Sequence, residues 1–561
     1  MDHAISDERT VVNVATRLSQ YARRQPQQIA VVETSGQRGR PRYRSITFAN
    51  LDADSNRIAA GLRKSGIAAG TRIALLVRPG IDFVALVFGL FKCGAVAIFI
   101  DPGTGRRNMV RCLAEAKPEG FIAIPAAQAI RTLLRHRFPK WKLQVTLGPR
   151  WFWSGLTLNQ LRQRGSDEPF EVNTCGEDPA AIIFTTGSTG PPKGVLYCHR
   201  NFDEQVVQIQ RQYQIEPGTI DVAAFPLFAL FNSGMGGTTV FPKMDFARPA
   251  DVDPATFISV LNDWNATQSF GSPALWNRIG RYCEKHDVTL ATLKRVLSAG
   301  APVSGGVLKR LTACLSPTAE MHTPYGATEA LPIATISAGE VLSDTQEQTD
   351  RGSGVCVGKR FDGIRWKVIQ IVDESIATLG DVDEVPQGEI GELIVKGPVV
   401  TRQYVTRTEA NSLGKIYEAV DVWHRMGDVG YLDDQERFWF CGRMAHRVRT
   451  TDMTLYTVRC EGIFNTHGDV FRSALVGVGD VGRQRPVIIV ELHDKNIHGR
   501  SQDWKRIESE LCNLASNYEQ TAAITAFLLH PSLPVDIRHN SKIFREKLGP
   551  WAAGQIQRTA C

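Results

Sequence analysis

The hydrophobic pattern near the start of the chain alternates between helical and strand periods. Apolar residues recur at helical spacing over residues 51–62, which predicts a helix that ends at Gly66. Residues 72–77 and 95–100 form almost continuous apolar runs and predict buried strands, with a helix beginning near Asp82 between them. Strands that alternate with helices predict a parallel α/β sheet.

Shorter apolar runs continue the pattern through the rest of the chain. The polar, acid-rich residues 339–353 predict a surface loop, and residues 379–391 predict a turn region. After about residue 443 short apolar strands flank short helical stretches, so we expect a domain boundary at residues 442–446. Residues 297–302 predict a strand that ends in a tight turn, and the later runs that predict strands are residues 392–397, 474–478 and 487–490.

Composition and charge are those of an ordinary globular chain. Hydrophobic residues make up 43% and charged residues 22% of the 561 positions, which is enough chain for several domains. The net charge of +7 is small and the basic residues are spread along the chain, so nucleic acid is not an expected partner. The 11 cysteines include no Cys-x-x-Cys pair, which indicates reduced thiols and a cytoplasmic location.

One window is apolar enough to be considered as a membrane span. Residues 83–100 are the most apolar stretch of the chain, but they contain Lys92 and Gly94. The pattern there predicts a helix, a turn and a strand, and we expect no transmembrane segment.

The most informative stretch is a loop that follows the apolar run at residues 180–184. Residues 185–194 contain three glycines, four hydroxyl side chains and Lys193. Glycine lets backbone N–H groups turn toward an anion, and the hydroxyls and the lysine add donors and charge. The spacing differs from a Walker A loop, because Lys193 is followed by Gly194. We call residues 185–193 the phosphate loop; the alternative, a flexible linker, fits poorly with the preceding strand and with the two prolines at the exit.

Three further motifs follow the phosphate loop in order. They are residues 325–329 (Tyr-Gly-Ala-Thr-Glu), Gly427-Asp428 followed by Gly442-Arg443, and the late residues 541–543 (Ser-Lys-Ile). Together the four motifs resemble the adenylate-forming superfamily, which includes acyl-CoA synthetases, peptide-synthetase adenylation domains and luciferases. The resemblance covers the chain from about residue 46 to residue 548.

The resemblance implies a fold, a division into domains and two cofactors. It implies an α/β fold with a large N-terminal domain at residues 1–443, made of layered α/β subdomains plus a small β-rich part. A small, mobile α+β C-terminal domain at residues 444–561 would carry Lys542. ATP and Mg²⁺ are the implied cofactors.

The resemblance also implies roles for individual residues. Thr328 would contact the α-phosphate, Glu329 would bind Mg²⁺, and Lys542 would bridge the substrate carboxylate and the α-phosphate. A carboxylate that attacks a phosphate needs such positive charge, because both groups are anions. The other implied ATP contacts are Thr185, Thr186, Gly187, Ser188, Thr189, Gly190 and Lys193 for the outer phosphates, Gly300, Ala301, Pro302, Tyr325 and Gly326 for the adenine, and Asp428 with Arg443 for the ribose.

Some of these assignments have a plainer alternative. Glu329 and Asp428 could be solvated surface acids. Lys542 could be one member of a solvated basic face, and the glycine that usually precedes it is Ser541 here. The aromatic segment 223–231 could be core or a wall of the substrate pocket. The expected pocket residues are Phe228, Ala229, Phe231, Gly271, Ser272 and Pro273.

The sequence departs from the common family pattern where coenzyme A would bind. The hinge residue, usually Lys or Asp, is Ala445, and a usual glycine of the following loop is Asp452. A side chain there would obstruct the approach of a thiol arm to the backbone. Coenzyme A is therefore not an expected substrate.

These departures resemble one branch of the superfamily, the β-lactone synthetases of bacterial olefin biosynthesis. The resemblance implies an AMP-forming ligase that adenylates a long-chain 2-alkyl-3-hydroxy acid and closes it to a β-lactone. It also implies a thiolase-like enzyme, a reductase and a decarboxylase as pathway partners. Three histidines near motifs, His199, His322 and His446, could accept the hydroxyl proton, although a structural role is the favoured interpretation for each.

Three other functions remain open at the level of sequence. A long-chain acyl-CoA ligase or an acyl-AMP ligase that feeds a carrier protein would use the same motifs. A nucleotide- or acyl-binding protein without turnover is the third, and the intact Glu329, Asp428 and Lys542 argue against it.

Overall fold

The first layer of the large N-terminal domain is a seven-stranded sheet. The computed structural model describes residues 12–37, 40–139, 141–185, 190–419, 421–497, 501–536 and 542–560. All strand pairs in this sheet are parallel except the last, which joins the two strands on either side of the phosphate loop. In spatial order the strands are Leu156–Thr157, Leu143–Thr146, Gly120–Ala123, Arg72–Leu76, Val96–Phe99, Pro179–Phe184 and Gly194–Cys198.

The second layer is a nine-stranded sheet in which distant parts of the chain meet. Ile29–Gln37 pairs in parallel with Thr238–Phe241, so residues about 200 positions apart are neighbours, as Val31 and Thr239 are. The remaining parallel strands end at the same edge, where ligands of α/β sheets usually bind. The spatial order is Lys359–Arg360, Ala330–Ser337, Glu320–Ala327, Arg295–Ser298, Gln268–Gly271, Ile220–Ala223, Thr238–Phe241, Ile29–Gln37 and Arg40–Thr47.

A third, smaller sheet completes the large domain, and helices cover the first two. The strands of the third sheet are Val355–Cys356, Arg365–Ile369, Gly391–Lys396, Lys415–Glu418, Asp421–Leu432 and Phe438–Arg443. The helices of eight or more residues in this domain are Thr16–Arg24, Phe48–Lys64, Ile81–Lys92, Arg106–Ala116, Pro125–Leu133, His199–Gln212, Phe228–Met235, Pro254–Asp263, Pro273–His286 and Gly305–Thr312. The shorter ones are Leu158–Arg164, Ala338–Glu340, Gln346–Asp350 and Ala410–Gly414.

The smaller C-terminal domain has hydrophobic cores of its own, built only from residues after 447. Val470–Val478 and Arg485–Leu492 pair directly as an antiparallel hairpin, and Phe527–Leu529 adds a parallel strand. The helices of this domain, Thr457–Phe464, Gln502–Ser516 and Arg545–Ala560, lie outside the hairpin in sequence. Two short strands, Val448–Arg449 and Thr454–Leu455, connect it to the large domain.

The early sequence predictions for this fold are confirmed, and one later prediction is wrong. The apolar window at 83–100 comprises most of the helix Ile81–Lys92 and the strand Val96–Phe99. Every helix in the described residues is too short or too polar to cross a bilayer. Residues 339–353 were expected to form a loop but are largely helical. The Ser337 side chain accepts a hydrogen bond from the Glu340 N–H and so caps the first helical turn, and Ala338 is buried beneath it.

Candidate active site

A cavity of about 2600 Å³ lies between the sheets of the large domain and reaches the C-terminal domain. Parallel strands end here, so loops from distant parts of the sequence converge. Most of the residues singled out in the sequence line this one cavity. They are Thr185, Gly190, Lys193, Phe228, Phe231, Gly271, Ser272, Pro273, Gly300, Ala301, Pro302, Tyr325, Gly326, Thr328, Glu329, Asp428, Arg443 and Lys542.

The phosphate loop is closed at its base by two hydrogen bonds. The Thr185 N–H donates to the Lys193 carbonyl, and the Lys193 N–H donates to the Thr185 hydroxyl, both at 3.0 Å. Thr186, Gly187, Ser188 and Thr189 lie outside the described residues. Burial lowers the pKa of Lys193, and nearby Glu329 partly offsets this effect. The ammonium group therefore sits in a partly dry pocket, where its charge acts strongly on an anion.

Glu329 is a buried carboxylate held by a tyrosine that the sequence did not single out. The Tyr404 hydroxyl donates to Glu329 Oε1 at 2.7 Å and accepts from Lys193 Nζ at 3.3 Å. The backbone carbonyl of Glu329 accepts from both the N–H and the hydroxyl of Thr401. These contacts fix both the main chain and one carboxylate oxygen, and they leave the second oxygen for a ligand.

The charges around Glu329 keep it ionised. Burial alone would raise its pKa, but surrounding positive charge and the Tyr404 hydrogen bond lower it. Burial also lowers the pKa of the adjacent His424 to about 3, so that ring is neutral at neutral pH. A neutral ring carries no charge that could lower the pKa of Glu329. We therefore assign the lowered pKa to Tyr404, Lys193 and the buried Lys415.

Lys415 is fully buried near Glu329 and does not line the cavity. Its ammonium donates to the Thr401 carbonyl at 2.5 Å, and burial lowers its pKa to about 7 while Glu329 opposes this shift. A single ionised carboxylate with its second oxygen free suits Mg²⁺, which commonly binds one or two carboxylates together with substrate phosphates. The residues present therefore fit the implied metal.

Asp428 is buried and already accepts from two side chains. The Tyr325 hydroxyl donates to Oδ2 at 2.5 Å, and Arg443 Nη1 donates to Oδ1 at 2.6 Å. The opposing Asp428 charge raises the pKa of Arg443, despite its burial. A carboxylate has about four acceptor positions, so two remain for the hydroxyls of a ribose.

Lys542 brings the C-terminal domain into the same cavity. The Asp536 N–H donates to the Lys542 carbonyl at 2.9 Å, and Val535 pairs with Ile543, which holds this segment in an extended form. The side chain is half-buried and lines the cavity together with Glu329 and Asp428. The two domains are thus arranged so that Lys542 lines the same cavity as the residues of the large domain.

Aromatic rings form the apolar wall of the cavity. Phe228 stacks on Phe270 with ring centroids 4.5 Å apart, and Phe225 packs against the same ring. Phe228 and Phe231 line the cavity, but Ala229 does not, because its position on the helix directs it into the protein core, where it is fully buried. Segment 223–231 is thus part wall and part core.

Of the three histidines considered from the sequence, His446 lines the cavity. Burial, Arg545 and Arg443 together lower its pKa to about 3, so its ring is neutral at neutral pH. The ring of His322 contacts Glu320 at 3.0 Å, and His199 is fully buried beside Phe91. The contacts of His322 and His199 are those of residues that support the fold, and neither ring lines the cavity.

The phosphate loop, the ionised Glu329, Asp428 and Lys542 of the C-terminal domain all line one cavity, an arrangement suited to binding an anionic ligand. The sequence profile of the AMP-binding enzyme family matches residues 18–405, and the chain belongs to this family. It is therefore an adenylate-forming ligase.

Two relatives resemble the chain over almost its whole length. It is 42% identical over 555 residues to an olefin β-lactone synthetase of Xanthomonas campestris. The alignment covers 97% of this chain and 98% of the relative. It is 43% identical over 559 residues to an olefin β-lactone synthetase of Stenotrophomonas maltophilia. This alignment covers 98% of this chain and 99% of the relative.

Solved structures share the fold at much lower identity. ATP-bound MatB from Rhodopseudomonas palustris has a TM-score of 0.76 at 18% identity and covers 97% of this chain and 99% of its own. The anthranilate CoA ligase AuaEII, in complex with anthranoyl-AMP, has a TM-score of 0.79 at 17% identity and covers 98% of both chains.

Proposed function

We propose that this protein uses ATP and Mg²⁺ to adenylate a long-chain 2-alkyl-3-hydroxy acid and then closes the product to a β-lactone. The observation that carries the proposal is the near full-length similarity to two proteins named olefin β-lactone synthetase. The cavity supports it, because it joins the nucleotide residues to a wall of aromatic rings.

In the first step the substrate carboxylate attacks the α-phosphorus of ATP. A P–O bond forms to the carboxylate, and the bond to pyrophosphate breaks with its electron pair leaving on pyrophosphate. Lys542 and Lys193 would offset the negative charge that gathers around the phosphorus. Mg²⁺ bound at Glu329 would supply further positive charge when present. Asp428 and Tyr325 would orient the nucleoside, and Thr328 would contact the α-phosphate.

In the second step the 3-hydroxyl oxygen attacks the activated carbonyl carbon of the same molecule. The new C–O bond closes a four-membered ring, and AMP leaves with the electrons of its bond to the acyl carbon. The nucleophile is already tethered, so the effective concentration is high and no second substrate is needed. The hydroxyl proton needs an acceptor, and we assign this role to the neutral ring of His446, which lines the cavity.

The low pKa of His446 is compatible with this role. The pKa is low because the ring is buried and lies near the positive charges of Arg545 and Arg443. An anion bound in the same cavity would offset these charges and so raise the pKa. The phosphate of the adenylate would therefore raise the pKa of the ring at the stage when a base is required.

Coenzyme A is not part of the proposed reaction. Asp452 lies at the exposed tip of the short hairpin that follows Arg449, and its N–H donates to the Thr450 hydroxyl at 3.2 Å. Ala445, at the hinge position, is exposed and offers no charge to fix a second domain orientation. The proposed setting is the cytoplasm, with a thiolase-like enzyme, a reductase and a decarboxylase as pathway partners.

The test is to incubate the protein with ATP, Mg²⁺ and a long-chain 2-alkyl-3-hydroxy acid, without coenzyme A. We expect pyrophosphate, AMP and a β-lactone identified by NMR. The matched control is the same acid without its 3-hydroxyl, which should undergo ATP–pyrophosphate exchange but give no lactone. A thioester that appears only after coenzyme A is added would contradict the proposal and identify an acyl-CoA ligase.

A further inference from the structure

Half of the large hydrophobic side chains that are exposed in the described residues lie within one short segment, residues 130–152. They occupy one edge of the seven-stranded sheet, on the helix Pro125–Leu133 and on both sides of the strand Leu143–Thr146. We call them the edge patch: Ile130, Leu133, Trp141, Trp151 and Phe152, with exposed fractions of 37%, 73%, 43%, 57% and 67%.

The rings of the edge patch are held in position and point outward. Trp151 and Phe152 both pack against Trp153, with ring centroids 5.4 and 5.1 Å away. Trp153 is buried, and its indole N–H donates to the Thr146 hydroxyl at 2.9 Å. Large apolar side chains that are both exposed and anchored in this way mark an interaction site.

The charge around the edge patch is one-sided, although basic residues are spread out over the chain as a whole. No acidic residue occurs between Glu119 and Asp167, while eight lysines and arginines do. Some of these charges are neutralised or buried, because Lys142 pairs with Glu119 and Arg162 with two aspartates. Arg135, Arg137 and Arg150 are among those that stay exposed.

The edge patch also adjoins the cavity. Ala127 lines the cavity one helical turn before Ile130, and Leu147 lines it four residues before Trp151. Ile124, at the start of the same helix, lines it as well. An apolar chain that arrived at the edge patch would therefore find the cavity close by.

We propose that the edge patch docks the protein on the surface of an anionic lipid bilayer, from which its long-chain substrate enters the cavity. Tryptophan favours the bilayer interface, and arginine is attracted to anionic headgroups. Exposed aromatic and basic side chains, in a segment that has no acidic residue of its own, fit such a surface, and binding is peripheral. The second half of this proposal rests on the proposed function; the docking itself does not.

The test is flotation of the full-length protein with vesicles of phosphatidylglycerol and phosphatidylethanolamine, compared with vesicles of phosphatidylcholine alone. We expect the protein to float with the anionic vesicles and to be released by salt, because the basic component is screened. The double variant Trp151→Ser with Phe152→Ser should bind at least about tenfold more weakly. Arg135→Ser with Arg137→Ser should weaken binding to anionic vesicles only.

The matched control is Leu413→Ser with Val481→Ser, two residues of similar exposure away from the edge patch, 54% and 63%. These substitutions should leave flotation unchanged. Equal flotation of the wild type and the edge-patch variants would overturn the proposal. So would a wild type that ignores anionic vesicles but loses a dimer, measured by light scattering, when Trp151 and Phe152 are replaced.

A second measurement separates docking from the proposed chemistry. The edge-patch variants should keep ATP–pyrophosphate exchange with an acid dispersed in detergent, and lose it with the same acid embedded in anionic vesicles. Loss of exchange in detergent as well would indicate a folding defect and contradict the docking role. If β-lactone formation itself failed in the wild type, vesicle binding would still be measured independently.

Discussion

Lys542 is the residue through which the C-terminal domain enters the proposed chemistry. It lines the cavity with Glu329 and Asp428, and its backbone is fixed by Asp536. In the proposed reaction it would add positive charge where the carboxylate and the α-phosphate approach each other.

Lys542→Ala should reduce ATP–pyrophosphate exchange by about 10²–10³-fold, because one charged donor to the developing charge is lost. ATP binding, measured by calorimetry, should change little, since the phosphate loop and Asp428 are intact. The control is Lys547→Ala, which removes an exposed lysine nearby. Exchange that survives in Lys542→Ala would contradict the assigned role.

His446 should matter for the second step and not for the first. His446→Gln should leave ATP–pyrophosphate exchange within about threefold and lower β-lactone formation by about 10²-fold or more, because the proton acceptor is lost. His322→Gln is the control, since that ring lies outside the cavity lining. In a ¹³C-histidine NMR titration, AMP should raise the pKa of His446 from about 3. Equal losses in both half-reactions would indicate a structural role.

At the scale of single residues, the sequence pointed to the residues within motifs but not to the residues that hold them in place. Glu329 and Asp428 belong to short motifs, so a single sequence was enough to single them out. Tyr404, which bonds Glu329, and Lys415, which is buried near it, occur in stretches without any local signal. Only folding brings them to Glu329, which is 75 positions from Tyr404 in the sequence.

At the scale of elements, one buried pair fixes the helix that forms the apolar wall. Asp221, in the strand Ile220–Ala223, accepts from the Asn232 amide at 2.7 Å. Asn232 belongs to the helix Phe228–Met235, which carries Phe228 and Phe231 into the cavity. Burial raises the pKa of Asp221 to about 7.

This shift predicts a pH-dependent stability. Between about pH 4 and pH 7 the folded state keeps a proton that the unfolded state has lost, so the Asp221 contribution to the free energy of unfolding falls as pH rises. A shift of this size corresponds to at most about 4 kcal/mol. Asp221→Asn should therefore be more stable than wild type at pH 8 and similar at about pH 4, measured by urea unfolding. The exposed Asp251→Asn should show no such difference, and a pH-independent effect of Asp221→Asn would contradict the shift.

The elements themselves were predictable where the hydrophobic period was strong. The strands Arg72–Leu76 and Val96–Phe99 and the helix between them follow from apolar runs that are buried on both faces. The helical segment at 338–350 was missed because its composition is polar. Its stability comes from the Ser337 cap and from packing of Ala338 and Thr345, neither of which is visible as a period.

At the scale of the molecule, periodicity predicted a parallel α/β sheet, and the expectation of a large and a small domain came from the motifs. The number of sheets and the order of their strands could not be derived, since pairings such as Val31 with Thr239 carry no local signal. The way the C-terminal domain meets the large domain was equally hidden. It depends on contacts such as that of Arg459 with the Gly352 carbonyl and of Arg447 with Asp373.

The long-range pairing of Ile29–Gln37 with Thr238–Phe241 has a consequence during synthesis. The strands of the seven-stranded sheet, residues 72–198, all emerge from the ribosome before the partner strand does, so that sheet can form first as a nested unit. Meanwhile Ile29–Gln37 and its hairpin neighbour remain without their final edge partner. Chains that stop between residues 200 and 237 should therefore be prone to aggregation and dependent on chaperones, more so than chains that include residues 238–241.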